Sequence, residues 1–355
     1  MVAVTAPTLP EAISNVLPDG PLADPLGAFL SAFLVANFVL ATTAVAGPWA
    51  KRKIAADFWG KVGPNRMGPY GILIVVADAL RLLSKENIVP ENTDRPAFDL
   101  APLVMASTAL LGFAVVPMGS LFGVRIHLAD PETGLAFVFA VSSLASVGIV
   151  MAGYASNNKF SLLGGLRAVA LTIAYEIPLV VTAASVVLLA GTLQMGAIVE
   201  AQAEPLLTVA GVTIPSWYAV VNPVAFALFL VANLAEVGRN PFDLAEAPQE
   251  IVAGIMTEYS SVYFTLIYLA EFIHIFLAGA VVATLFLGGP AGPVLPGFVW
   301  FVGKIWAVFL FTQWMRATIP RVRVDQLIEI GWKGLLVLSF LNLLLTAVVV
   351  VVFAA

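Results

Sequence analysis

Cysteine is absent from this 355-residue chain, which excludes disulfides, thiolate metal sites and cysteine-ligated iron–sulfur clusters within it. Histidine is scarce: His127 and His274 are too few for a multi-histidine haem arrangement. Charge is scarce as well, with 11% Asp, Glu, Lys and Arg against 60% hydrophobic residues and a mean hydropathy of +0.98. A soluble domain does not carry that balance, so the chain reads as an all-α polytopic membrane protein. The net charge of −5 and pI near 5.1 say little about partners, because most of the surface faces lipid or other subunits. No nucleic-acid partner is implied. A dinucleotide fingerprint is also missing.

What is present is apolar sequence in helix-sized blocks. A spanning helix needs roughly 20 apolar residues. Cutting at charges and at Pro/Gly clusters gives spans near 25–47, 100–123, 134–156, 168–191, 217–235, 259–287, 298–315 and 334–353. The Gly- and Pro-rich stretch at 288–297 separates the sixth and seventh. Eight spans, in a single membrane domain over 25–355, put both termini on one side. Of the 17 Lys and Arg residues, Arg125 and Lys304 alone fall on the side of the termini. The excess of positive charge marks the other side as cytoplasmic, with both termini outside. Residues 1–24 lack the basic start of a secretion signal and read as an external tail or surface helix.

Charge is concentrated in the cytoplasmic loops. The first, over 51–99, alternates apolar and basic residues at 49–62 with helical spacing, which predicts an amphipathic helix at the membrane interface. Turns are expected at Gly63-Pro64 and Gly68-Pro69. The apolar run that follows is too short to cross, and Asp78 and Arg81 share one face at i,i+3. This loop is either a membrane-surface anchor or the wall of a lateral opening for an amphipathic, lipid-like molecule. The loop over 236–258 holds five carboxylates, Glu236, Asp243, Glu246, Glu250 and Glu258, and one arginine, Arg239, between two long apolar runs. Acid beside hydrocarbon is costly and marks a functional site. If the segment after Pro241 is helical, Glu246 and Glu250 face the same way, and Glu258 lies about 80° round from Glu250. A solvated acidic loop is the plain alternative.

Two further acids lie inside spans. Glu176 sits in the fourth beside Pro178, which frees a backbone carbonyl; it is a candidate proton-exchange site, or else a structural hydrogen bond to a neighbouring helix. Glu271 and His274 share a face of the sixth at i,i+3, as a proton-relay step or as an interhelical hydrogen bond. His127, beside Arg125, reads as surface. Arg316, Arg321, Arg323 and Asp325 in the last loop suit docking of a soluble subunit, or anchoring at lipid headgroups.

Four stretches, VGPNRMGPYGILIVVADALRLLSKE, TIAYEIPLVV, LAEVGRNPFDLAEAPQEIVAGIMTEYSS and RATIPRVRVDQLIEIGWKGLL, occur in order, the second in the fourth span and the others centred on these loops. Together they closely resemble the quinone-chamber membrane subunits of respiratory complex I, the NADH:quinone oxidoreductase family, over roughly residues 25–355. Energy-converting hydrogenases share a weaker version of the pattern. The resemblance implies a non-redox subunit of a proton-translocating oxidoreductase in the cell membrane, with ubiquinone or menaquinone as substrate and no cofactor or metal of its own. Arg52, Lys61, Asp78, Arg81, Arg239 and Phe242 match the quinone tunnel. Glu176, Glu236, Asp243, Glu246, Glu250, Glu258 and Glu271 match the carboxylate path. Soluble quinone-reducing and iron–sulfur subunits, antiporter-like subunits and small membrane subunits are the implied partners. A membrane anchor of a hydrogenase-type complex is the alternative, and a stand-alone secondary transporter fits less well because the acids cluster at the cytoplasmic edge. The chain departs from the family at Lys51 (usually Glu), Trp59 (Gln), Lys61 (Arg), Pro248 (Glu) and Val337 (Pro). Arg-to-Lys loses bidentate geometry.

Overall fold

The computed structural model describes residues 6–17, 22–203, 205–209, 212–239, 242–243, 250–292 and 295–354, with backbone alone for the hairpin strands at 205–215. The described chain is helical apart from two small antiparallel hairpins, Ser120–Leu121 with Val124–Arg125 (β1, β2) and Pro205–Val209 with Val212–Pro215 (β3, β4). Among the described residues, seven helical stretches are long and apolar enough to cross a membrane: Ala23–Phe58, Arg95–Val115, Gly134–Ala155, Lys159–Ala190, Ser261–Phe286, Gly297–Thr318 and Val324–Val352. The fifth expected span is shorter. Pro223–Glu236 has 14 residues, or about 21 Å at 1.5 Å per residue. Pro223 has no N–H to extend the helix backwards, and Asn222 caps the start by accepting from the Ala225 N–H at 3.0 Å.

A short helix, Leu9–Ser14 (α1), packs on Ala23–Ala41 (α2), and Arg125 pins the segment before it by donating from its backbone N–H to the Pro7 carbonyl and from Nε to the Ala6 carbonyl. From α2 the chain passes through a π turn, Thr42–Ala46, straight into Gly47–Phe58 (α3). The expected interfacial helix is therefore a continuation of the first span. Thr42 and Thr43 cause the irregularity: their hydroxyls donate back to carbonyls of the preceding turn. Turns at Gly63–Gly71 lead into Leu73–Leu83 (α4), 11 residues and too short to span. Gly71 is required there, because its φ is +79° and a Cβ would meet the Pro64 carbonyl oxygen at 2.4 Å.

The remaining helices are Arg95–Gly112 (α5), Gly134–Ala155 (α6), Lys159–Ala190 (α7), Met195–Ala203 (α8), Tyr218–Val221 (α9), Pro223–Glu236 (α10), Ser261–Phe286 (α11), Gly297–Thr318 (α12), Val324–Glu329 (α13) and Leu336–Ala354 (α14). Cutting at charges placed two starts too late. α5 begins at Arg95, whose side chain lies 3.8 Å from Asp99 one turn on, and α7 begins at Lys159 behind the Asn158 cap. Long charged side chains at a helix end reach out to water while the backbone stays helical. α5 packs on α6 and α11, and α7 on α6, α10 and α14. The apolar stretch of α11 is 67% buried, against 22% for the first and last spans. So α11 is the central helix, and the outer helices show apolar faces to lipid or neighbouring chains. At the end away from the basic loops, Lys304 of α12 donates to the carbonyls of Leu287 (2.6 Å), Gly289 (2.7 Å) and Ala291 (2.8 Å) and lies 4.6 Å from the Trp217 ring. That lysine holds the Gly/Pro loop to the helix after it.

Candidate functional site: an acid-lined cavity at the end of α10

α10 ends at Glu236, and Gly238, at φ +65°, turns the chain back towards α11. The turn carries Arg239 inward, to 2% exposure. Its Nη2 donates to Glu271 Oε2 at 3.2 Å, and its guanidinium lies 5.3 Å from the Phe272 ring. Phe242 donates its N–H to the Arg239 carbonyl at 2.8 Å, and its ring meets the edge of Tyr175 at 5.2 Å. Asp243 is 7% exposed and 3.7 Å from the Arg321 guanidinium of the last loop. Arg239, Phe242, Asp243 and Glu271 line a cavity of about 100 Å³ together with Ser142, Ser146, Thr172, Glu236 and His274. One water needs about 10–15 Å³ of such space, so several fit.

A second cavity of about 40 Å³ lies beside the first and shares with it Ser142, Glu236, Val237 and His274. Its other polar lining is Asn233 of α10, whose amide donates to the Ala278 carbonyl of α11 at 3.3 Å. Glu176 of α7 lies within electrostatic reach of Glu236. Acids on α10, α11 and the loop after α10 thus line this internal space with Arg239, while Arg321 pairs with Asp243 and Glu176 lines neither cavity. Such an arrangement can hold water and protons and can respond to charge placed near the two arginines.

The other candidates separate. Glu250 lies outside the cavity, in a turn, and pairs with Arg167 at 2.7 Å; Glu258 accepts from the Asn158 amide at 2.5 Å. Residues 250–260 form turns around one 3-10 turn, Gly254–Met256, so the expected helical relation between Glu250 and Glu258 is not found. Glu246, with Pro248, lies outside the described residues. Arg52, Asp78 and Arg81 do come together, where α3 crosses α4: Arg52 is 2.6 Å and Arg81 3.4 Å from Asp78. None of these three lines the cavity. Lys61 stands apart from them, 5.6 Å from the Trp59 ring.

Sequence reasoning missed Ser142, Ser146, Thr172 and Asn233 as cavity lining. The spacing of Ser142 and Ser146, i,i+4 in a helix whose few serines (Ser142, Ser143, Ser146) cluster together, is the signal that points to them. It also missed Lys51, one of the departures noted above. The Lys51 ammonium lies 5.2 Å from the Phe272 ring and 5.4 Å from Tyr268, so Phe272 has cations of α3 and of the Arg239 turn close to it.

The profile of a family described as NADH dehydrogenase matches residues 30–347. The chain is 45% identical over 299 residues to the H-type subunit of NADH-quinone oxidoreductase from Dehalococcoides mccartyi strain CBDB1, covering 84% of this chain and 80% of that one. It is 44% identical over 326 residues to the protein of that name from Thermomicrobium roseum, covering 90% and 95%. A Geobacillus kaustophilus protein of the same name is 44% identical over 329 residues, covering 91% and 92%.

Proposed function

The chain belongs to the NADH dehydrogenase family, and from that membership we propose that it is the H-type membrane subunit of a proton-translocating NADH-quinone oxidoreductase. In that assembly it forms the access tunnel for quinone and the first part of the proton path. The observation that carries this reading is the acid-lined cavity at the end of α10, held between Arg239 and Arg321 and joined to a second cavity through Glu236. The named relatives favour this assembly over a hydrogenase-type anchor or a stand-alone transporter.

The tunnel is assigned to Arg52, Lys61, Asp78, Arg81, Arg239 and Phe242. Apolar rings and aliphatic stems suit a lipid-soluble quinone, and the cations suit oxygens that gain charge on reduction. The proton path is assigned to Glu176, Glu236, Asp243, Glu246, Glu250, Glu258 and Glu271. Electron delivery comes from soluble partners, with iron–sulfur and quinone-reducing subunits docked on the basic loops and antiporter-like and small membrane subunits alongside. Counted as an eighth span, the short helix α10 fits a topology with both termini outside and the charged loops in the cytoplasm, which the excess of basic residues in those loops supports.

Charge developed on the quinone competes for Arg239 with Glu271 and for Arg321 with Asp243. A carboxylate released from its arginine gains affinity for a proton, and one that recovers it releases the proton. Water in the cavity supplies and removes those protons. Affinity purification of the tagged chain from its native membrane tests the assembly. The chain is expected to bring down the soluble, iron–sulfur-containing subunits with NADH-dependent quinone reductase activity; a stable chain purified without them contradicts the proposal.

A further inference from the structure

We propose that His274 is the proton gate between the two cavities, an inference that rests on the proton-path reading above and assigns it a further residue. Four residues are common to both cavity walls, and of these Glu236 and His274 are the ones that can carry a proton. They come from different helices, α10 and α11, so the path changes helix at this wall. The buried Nε2 of His274 has no hydrogen-bond partner among the described residues. A buried ring nitrogen without a partner is costly, and the wall offers it partners: Glu236 and Ser142 stand on the same two cavity surfaces. Water held in the cavities would bridge the ring to them.

The charged groups around the gate come from several elements. Glu271 lies one turn before His274 on α11, with Arg239 on its carboxylate. Glu236 of α10 and Asp243 of the loop after α10 line the larger cavity with it, whereas Lys51 of α3 lies against Phe272, two residues along α11 and on another side of that helix. In the proposed step, one ring nitrogen accepts a proton from water of the larger cavity. The other ring nitrogen releases its proton to water of the smaller cavity, and ring rotation restores the starting tautomer. One proton enters and one leaves, and no electron is transferred. Imidazole suits this task because its two nitrogens exchange donor and acceptor roles. Asn233, which lines the smaller cavity and not the larger, is then reached by the path.

The test uses the whole complex, carrying His274→Gln, reconstituted in lipid vesicles and driven by NADH and a short-chain quinone. Gln keeps hydrogen-bonding capacity but cannot take up and pass on a proton. Proton translocation is expected to slow by on the order of 10²-fold, the lower range for a positioned acid–base group, while NADH oxidation by a soluble acceptor is unchanged. Translocation at the wild-type rate overturns the inference, because hydrogen bonding then suffices. Should the Gln variant fail to assemble, His274→Ala with imidazole in the buffer applies the same test: recovery of pumping supports the gate, and no recovery overturns it. Glu236→Gln is measured in parallel. If that variant pumps normally, the proton-path reading itself fails; if it fails to pump and His274→Gln pumps normally, the gate alone is wrong.

Discussion

Two clusters of arginine and carboxylate in this molecule are made of the same residue types and differ in their surroundings. At the crossing of α3 and α4, Asp78 is shared by Arg52 and Arg81, with side-chain exposures of 26%, 41% and 72%. At the end of α10, Arg239 holds Glu271 at exposures of 3% and 18%. Water and salt screen the first cluster, so it orients side chains at small energetic cost. The second has lost most of its water, so each partner depends on the other, and a charge arriving nearby is felt strongly. The exposed cluster suits guiding a molecule in, and the enclosed one suits converting a change of charge into a change of protonation.

The comparison breaks most sharply at Arg239. Arg239→Met leaves Glu271 without its paired cation, and the expected loss is on the order of 3 kcal/mol. Thermal inactivation of the purified complex reads it as a clearly lowered transition temperature; an unchanged temperature means that the buried pair contributes nothing. A milder result is expected at the surface. Asp78→Asn should cost below about 1 kcal/mol, and the difference from wild type should shrink as salt is raised. A salt-independent loss as large as that of Arg239→Met would erase the distinction between the two clusters.

The parts of this architecture that depend on neighbours in sequence were legible in advance. Apolar runs located the long helices, and the i,i+3 spacing of Asp78 and Arg81 placed them together. The four motif stretches marked the acidic loop. The partners of the acids were not legible, because each lies far along the chain. Glu271 meets Arg239 across 32 positions, and Glu250 meets Arg167 across 83. From sequence, Arg239 is the local counter-ion for Asp243 and Arg321 is a docking residue; tertiary packing brings Arg321 to Asp243. Helix starts at Arg95 and Lys159 were hidden because charge was used as a boundary, while flexible charged side chains leave the backbone free to stay helical. The two cavities were hidden for a related reason. Ser142, Thr172 and Asn233 are small breaks in apolar helices, and their role depends on which faces meet.

The central claim is that the enclosed cluster carries protons moved by quinone reduction, and the number of protons translocated per NADH in vesicles containing the reconstituted complex tests it most directly. With Glu236→Gln, the account predicts that the ratio falls well below wild type while quinone reduction continues in vesicles made leaky with a protonophore. A wild-type ratio in that variant would contradict the account.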